Sequence, residues 1–328
     1  LPGVTVGRDG TVTAMGEQVR KVTVDGKEFF GDDATAALKN LPASVIDKIQ
    51  VFDRLSDQAQ LTGFDDGNSV KTVNIVTKSG IKNGQFGRIY AGGGTDSRYA
   101  AGGNVSFFKG DRRLSLVANF NNINQQNFAS QDLLGATSSS GGGGRGGGRG
   151  GMGGGSDNFN VGQSSGISKT NALGINFSNV YAKKLTLTGS YFFNNSHNTN
   201  ESVTNTETFD DTKNRFSLQK STSVNDNTNH RLNLRLEYKI DSSNSLFIIP
   251  SVSFQKSRSS SFSSQNIYEG LADSISNLIT PKSTSDRNGY NIRNNMFFRH
   301  SFPKRGRSLS VGFNTTFTKN DGESISDT

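Results

Sequence analysis

Three stretches carry residue types at spacings that could do chemistry. Gly162-Gln163-Ser164-Ser165-Gly166 matches G-x-S-x-G, the turn that presents a serine nucleophile in hydrolases. That chemistry needs a strand, a sharp turn and a helix, with a histidine in reach. Here the run lies in a Gly/Ser/Asn-rich segment with no helical pattern after it, so a chance match is the better reading. Gly141 to Gly155 holds 12 glycines together with Arg145, Arg149 and Met152. It satisfies G-x-G-x-x-G trivially, without the strand-to-helix context of a dinucleotide site. Its two Arg-Gly-Gly steps are few for an RNA-binding tract, and no nucleic-acid partner is expected. The composition fits a mobile loop whose Arg145, Arg149 and Met152 touch a ligand or a partner, and fits a plain flexible spacer better still. Asp65-Asp66-Gly67-Asn68 lacks the alternating ligand spacing of a calcium loop and reads as a turn. His197, His230 and His300 lie far apart, and there is no cysteine. No catalytic residue, metal ligand or cofactor emerges, and an enzyme is the least supported class.

The elements that would have to position such groups explain why none is expected. The chain has 328 residues, 36 Lys plus Arg against 28 Asp plus Glu, and a net charge of +8. Residues 1–80 hold 9 basic and 11 acidic side chains, net −2, so the remaining 248 hold 27 and 17, net +10. A basic balance of this kind could draw nucleic acid, anionic lipid or acidic ligands, and net charge alone does not choose among them. No stretch approaches the ~18 apolar residues of a membrane helix.

Residues 1–80 read as a compact mixed unit. β-Branched runs at 3–6, 19–24, 48–52 and 71–77 alternate with turn signals such as Asp25-Gly26. One helix is predicted around Asp33 to Leu41, and a helical turn from Ser44 with Val45, Ile46 and Ile49 on one face. From about Gly84 the pattern switches to period-two alternation. Leu114, Leu116, Ala118 and Phe120 share one face, as do Leu173, Ile175 and Phe177. Leu185, Leu187, Gly189, Tyr191 and Phe193 repeat the pattern, and so do Leu232, Leu234, Leu236 and Tyr238. Leu246, Ile248, Val252 and Phe254 follow, and then Leu309, Val311, Phe313 and Phe317. The runs suit tilted strands of about 9–11 residues crossing a bilayer. Short basic turns at 109–112, 181–184, 241–245 and 303–307 alternate with long polar connections at 122–169, 196–229 and 257–288. Antiparallel neighbours would put all short turns on one rim and all long connections on the other, as in outer-membrane barrels. The turn residues Lys109, Arg112, Arg113, Lys183, Lys184, Lys304, Arg305 and Arg307 would then meet lipid head groups or simply be solvated. Trp is absent, so 23 Phe and 7 Tyr, among them Tyr90, Tyr99, Tyr181, Tyr191 and Tyr238, must supply any aromatic girdle. About nine strands are expected, an odd number that predicts a wall continuing beyond Thr328.

The opening segment resembles the plug of TonB-dependent outer-membrane receptors. Leu1-Pro2-Gly3-Val4 is similar to the plug's "PGV" start, and Val24-Asp25-Gly26 to its "VDG" turn. Leu41-Pro42, Ile46, Ile49 and Val51 follow the P-x-x-x-(V/I)-E-x-I-E-V segment, and Asn74-Ile75-Val76-Thr77-Lys78 the closing "NIVTK". The stretches 24–31, 38–42 and 62–67 resemble the Bacteroidota branch. Asp53-Arg54-Leu55-Ser56 departs from the commoner "RGP". The resemblance implies a small mixed α/β plug over 1–80. After it, 84–328 would supply about nine antiparallel transmembrane strands of a 22-stranded barrel. A signal peptide and TonB box would lie upstream. It implies energy-coupled uptake of a scarce iron chelate, cofactor, glycan or peptide. The partners would be the TonB complex, outer-membrane lipid and lipopolysaccharide, with a surface lipoprotein as a further candidate. A receptor or adhesin of the same architecture without transport is the alternative. By position, ligand contacts at the plug apex would be Lys27, Glu28, Phe29, Phe30, Gln58, Gln60 and Leu61. Phe29 and Phe30 read better as plug core, because buried aromatic residues are ordinary packing.

Overall fold

The computed structural model of the chain describes residues 3–6, 12–30, 37–38, 41–78, 81, 83–125, 166–209, 215–269, 275–304 and 307–327. Arg145, Arg149, Met152, the G-x-S-x-G run up to residue 165 and most of the helix expected at 33–41 lie outside them.

The described residues are almost entirely antiparallel strands. A three-stranded sheet, β1 (Val4–Val6), β2 (Val12–Ala14) and β3 (Glu17–Gln18), precedes a four-stranded one. The latter joins β4 (Lys21–Val24), β5 (Lys27–Glu28), β6 (Ile46–Leu55) and β7 (Ser69–Thr77) in the order β5-β4-β7-β6, with β4 parallel to β7. Its inner side is ordinary protein core: Val22, Val24, Val73, Ile75, Phe29 and Phe30 are all buried. Helix α1 (Asp57–Thr62) is capped by Ser56, whose hydroxyl accepts from the Ala59 amide, and ends at Gly63 in the left-handed region. Two expectations change here. The helical turn at Ser44 is only a 3-10 turn over Ala43–Val45, and Ile46 and Ile49 pair with β7, because two β-branched residues find a ready partner strand. Gln58 to Leu61, for which no helix was expected, are helical. The turn at 65–68 is as expected, with the Asp65 and Asp66 carboxylates accepting from the Gly67 and Asn68 amides.

The rest is one sheet. In chain order its strands are β8 (Asn83–Gly93), β9 (Tyr99–Lys109), β10 (Arg112–Asn121), β11 (Ile167–Tyr181), β12 (Leu185–Thr208) and β13 (Arg215–Lys239). β14 (Asn244–Glu269), β15 (Ile275–Ile279), β16 (Lys282–Ser301) and β17 (Ser308–Asp327) complete it. Nine form a continuous antiparallel wall from β8 to β17, and β15 pairs beside the far end of β14. The four short turns fall on one rim. The connections expected at 196–229 and 257–288 are largely paired hairpin strand instead. Their Ser, Thr and Asn repeats continue the backbone ladder past the apolar positions, since a strand in water needs no apolar face to hydrogen-bond.

The register lines up side chains across the wall in rows, and two adjacent rows are each of one kind. Val105, Leu116, Ile175, Tyr191, Leu232, Val252, Ile292 and Phe317 are successive partners on eight strands. One residue along each strand, on the opposite face, the row reads Ser115, Asn176, Ser190, Asn233, Ser251, Arg293 and Thr316. Ile175 is 43% exposed and Phe317 62%, while Asn176 is 1% and Ser190 3% exposed. The wall buries its polar face and exposes its apolar one, the reverse of a soluble sheet.

The apolar band has edges. It starts at the short-turn rim with Tyr181, Leu185, Tyr238, Leu246, Phe298 and Val311. It ends at Leu173, Phe193, His230, Phe254 and Tyr290, where the Tyr191 hydroxyl lies 2.8 Å from His230 Nδ1. The next row outward is Asn171, Asn195, Thr228, Lys256, Asn288 and Asp321 from β11 to β17, all polar, and turns apolar only at Phe120 on β10 and Ala101 on β9. On β12 the band is residues 185–193, about 30 Å at ~3.3 Å per residue and ~23 Å at a ~40° tilt. That matches the ~25 Å apolar belt of outer-membrane barrels, and Tyr and Phe mark both borders in place of Trp. Tyr90 is a correction: it lies on the polar side, with its ring over Gly102.

Candidate functional site

The N-terminal unit sits on the polar face of the wall and is tied to it at three places. The first is the Val24-Asp25-Gly26 turn. Asp25 has φ 47° and Gly26 φ 79°, so the turn needs the two residue types that tolerate the left-handed region. Asp25 accepts from the Thr77 amide and hydroxyl, both at 2.8 Å, and from Arg113 Nη2 at 2.8 Å. Arg113 Nη1 donates to the Val24 carbonyl at 2.7 Å, and its guanidinium lies 4.9 Å from the Phe108 ring centre. Burial raises the Asp25 pKa, but the Thr77 amide, the Thr77 hydroxyl and Arg113 together bring it below its ordinary value.

The second is a charge cluster. Glu28 faces Lys21 at 3.2 Å, Arg54 at 3.5 Å and Arg235 of β13 at 3.5 Å. Asp57, at the start of α1, pairs tightly with the same Arg235, whose Nε also contacts Glu237 at 2.6 Å. Burial acts to raise the Glu28 pKa, but Lys21, Arg235 and Arg54 outweigh it and hold the carboxyl at about 2. The ladder between β13 and β14 skips Leu234 and Arg235 near Pro250, which has no amide hydrogen to donate.

The third is aromatic. Phe29 and Phe30 meet edge-on at 4.7 Å, and Phe30 lies 5.5 Å from Phe192 on the wall. The Phe30 amide donates to Asn176 at 3.0 Å. Phe30 has φ 60°, uncommon for a bulky side chain, and is held there by this packing and hydrogen bond.

The seven expected contact residues therefore separate. Lys27 donates to Asp111 in the β9–β10 turn at 2.9 Å, beside the short-turn rim. Glu28, Phe29 and Phe30 form the docking face just described, and Leu61 is buried. Gln58 and Gln60 are exposed, and Gln60 donates to the Leu55 carbonyl at 2.6 Å. Asp57 and Arg235 were not singled out by sequence, and Asp25 and Arg113 only as turn residues. Strand parity is the signal that finds the arginines. Arg113 precedes Leu114, and Arg231 and Arg235 sit among Leu232, Leu234 and Leu236, which puts all three on the face opposite the leucines.

No protein-family model matches the sequence, and no curated protein matches it. Among solved structures, the chain is similar to FyuA, the ferric yersiniabactin uptake receptor of Yersinia pestis. The identity is 10%, over 99% of this chain and 57% of that one, with a TM-score of 0.27. It is also similar to BauA, the ferric preacinetobactin receptor of Acinetobacter baumannii, at 9% identity over 99% and 56%, TM-score 0.31. FpvA of P. aeruginosa, bound to a heterologous pyoverdine with iron, is 14% identical over 99% and 50%, TM-score 0.29. The chain thus spans 50–57% of the length of these three. A likeness at this level carries no inference about this chain, which rests on its own residues.

Proposed function

We propose that this chain forms part of an outer-membrane receptor of the TonB-dependent kind, in which residues 1–80 act as a plug and 84–328 as barrel wall. The observation that carries the reading is the pair of adjacent rows, one wholly apolar and mostly exposed, the other wholly polar and buried on β10, β11 and β12. A sheet with that polarity is stable where its outer solvent is hydrocarbon and its inner one is water or protein. The strand edges of β8 and β17 are unpaired among the described residues. In lipid each unsatisfied backbone group costs several kcal/mol, so the embedded wall needs closure by further strands.

On this reading the docked N-terminal unit blocks the lumen. Two of its anchors are ionic and the third is aromatic, and all lie on the inner face, so they can be broken and remade without disturbing the lipid-facing band. Energy-coupled uptake of a scarce ligand then requires a pull that opens the Asp25–Arg113 and Glu28–Arg235 contacts. The partners are the TonB complex, acting on a segment upstream, and lipopolysaccharide beside the outer hairpins. Gln58 and Gln60 are the ligand-contact candidates of the N-terminal unit that remain exposed; Arg145, Arg149 and Met152 are those of the long connection.

The test is extraction. The receptor reading predicts that the protein stays with outer membranes through alkaline carbonate, needs detergent to leave them, and migrates faster on gels unheated than boiled. Release by carbonate with no heat-dependent shift would overturn it.

A further inference from the structure

The short-turn rim carries cations whose charge no described residue neutralises. Lys109 and Arg112 are direct partners across the β9–β10 turn. Both lie on the outer face, each two residues from an apolar neighbour of that face, Phe107 or Leu114. Arg113 pairs with Ser178, so Arg112 falls opposite Asn179, two residues before Tyr181. The β9–β10 and β11–β12 turns are therefore side by side. The β13–β14 turn follows, because the Lys239 amide donates to the Lys184 carbonyl at 2.8 Å. Lys109, Arg112, Lys183, Lys184 and Lys239 are all exposed, and none is within ion-pair distance of a carboxylate among the described residues. The carboxylates of these turns are already engaged. Asp111 accepts from Lys27, and Asp241 accepts from the Ser243 and Asn244 amides of its own turn.

Lys183 adds a second observation. The Lys184 amide donates to the Tyr181 carbonyl at 3.0 Å, closing a turn whose central residues, Ala182 and Lys183, have φ 50° and 56°. Both are in the left-handed region, where Asn and Gly are the unstrained choices for a hairpin. A lysine is held at this tip despite backbone strain, and strain of that kind collects at sites that bind or switch. What borders the cations decides the occupant. The apolar band begins here with the exposed Tyr181 and Tyr238, a ring type that settles at the level of lipid head groups. A phosphate carried on acyl chains suits both neighbours. The chains meet the band, and the phosphate oxygens accept charge-assisted hydrogen bonds from the guanidinium and ammonium groups. A zwitterionic head group brings its own ammonium to a cationic surface, so a net negative one is favoured. A free anion gains none of the apolar contact.

We propose that this rim is a docking surface for an anionic phospholipid. Lys109, Arg112 and Lys183 hold its phosphate, and Lys184 and Lys239 add to the field that attracts it. The surface rests on the receptor reading, which places the adjoining band in lipid.

The experiment is electron spin resonance of the full chain in phosphatidylcholine vesicles holding a trace of spin-labelled phosphatidylglycerol or spin-labelled phosphatidylcholine. Lipid that touches the wall gives a motionally restricted component, and its size for the two labels measures the preference. A preference for phosphatidylglycerol of about threefold is expected at low salt, falling toward none at about 1 M salt. Arg112→Gln together with Lys183→Gly removes most of it. Lys183→Gly also relieves the left-handed backbone, so loss of folding does not account for that result. Arg112→Lys keeps most of the preference, and Lys220→Gln, well beyond His230 on β13, leaves it unchanged. Equal restricted components for the two lipids, or a preference indifferent to the double variant, overturns the lipid site. So does a preference abolished by millimolar inorganic phosphate, which would mark a site for the free anion. The receptor reading fails separately, if neither lipid shows a restricted component at all.

Discussion

The two regions of this chain follow opposite rules with the same side chains. In the N-terminal unit Val22, Val24, Phe29, Phe30 and Ile75 are inside, and charged groups such as Glu17 and Asp53 are largely outside. In the wall Ser115, Asn119, Asn176 and Gln255 are inside, and Ile175, Phe313 and Phe317 are outside. Both regions are β-sheets with period-two alternation, so alternation alone says nothing about which face is covered. The difference lies in what each face meets. Burial of apolar area drives the first region at roughly 25 cal/mol per Å² against water. The second gains nothing from hiding its apolar face if that face meets hydrocarbon, and its stability comes from the backbone ladder.

That contrast can be broken from either side. The largest effect is expected inside the N-terminal unit: Phe30→Ala should cost about 3–5 kcal/mol in local opening, read by hydrogen exchange of the β4 and β7 amides, with wall amides little changed. Next is the outer face at mid-band. Leu232→Arg should destabilise the protein folded into vesicles by about 2–4 kcal/mol, the cost of a cation at the bilayer midplane. On a water-facing sheet the same change would stay within about 0.5 kcal/mol.

The charge cluster gives a pH signature. The Glu28 carboxyl is lowered from 4.5 to about 2, because Lys21, Arg235 and Arg54 outweigh burial. Its contribution is therefore complete above pH 4.5 and lost as the pH falls toward 2 and through it, in all about 3 kcal/mol on an order-of-magnitude basis. Pepsin cleavage within residues 21–30 should accelerate across that window, and Glu28→Gln should flatten the profile. The smallest effect is Lys27→Ala. Its partner Asp111 is well exposed, so about 0.2–1 kcal/mol is expected, and docking should survive.

Much of the wall was legible because period-two alternation fixes which residues share a face, and the short turns fix which rim they share. The N-terminal strands were legible for a similar reason, since β-branched runs between Gly and Asp turns have few alternatives. Three things were not. The hairpins through 196–229 and 257–288 looked like loops because their Ser/Thr/Asn repeats have no hydrophobic face, yet a ladder continues on backbone hydrogen bonds alone. The helix at Asp57–Thr62 is six residues long, too short for a helical period to register. The docking contacts pair residues such as Asp57 and Arg235, 178 positions apart, and nothing local marks such a pair. Parity showed which arginines face inward but could not supply the carboxylates they meet.

The most direct test of the account is the solvent that the apolar row touches. The sequence has no cysteine, so a single Cys carries a spin label without ambiguity. Labels at Ile175→Cys, Leu232→Cys and Val252→Cys, in the protein inserted in lipid vesicles, should collide readily with oxygen and poorly with a water-soluble nickel chelate. Asn195→Cys and Thr228→Cys, just beyond the aromatic border, should show the reverse. If the first three are as open to the chelate as the last two, the outer face meets water and the membrane-wall account is contradicted.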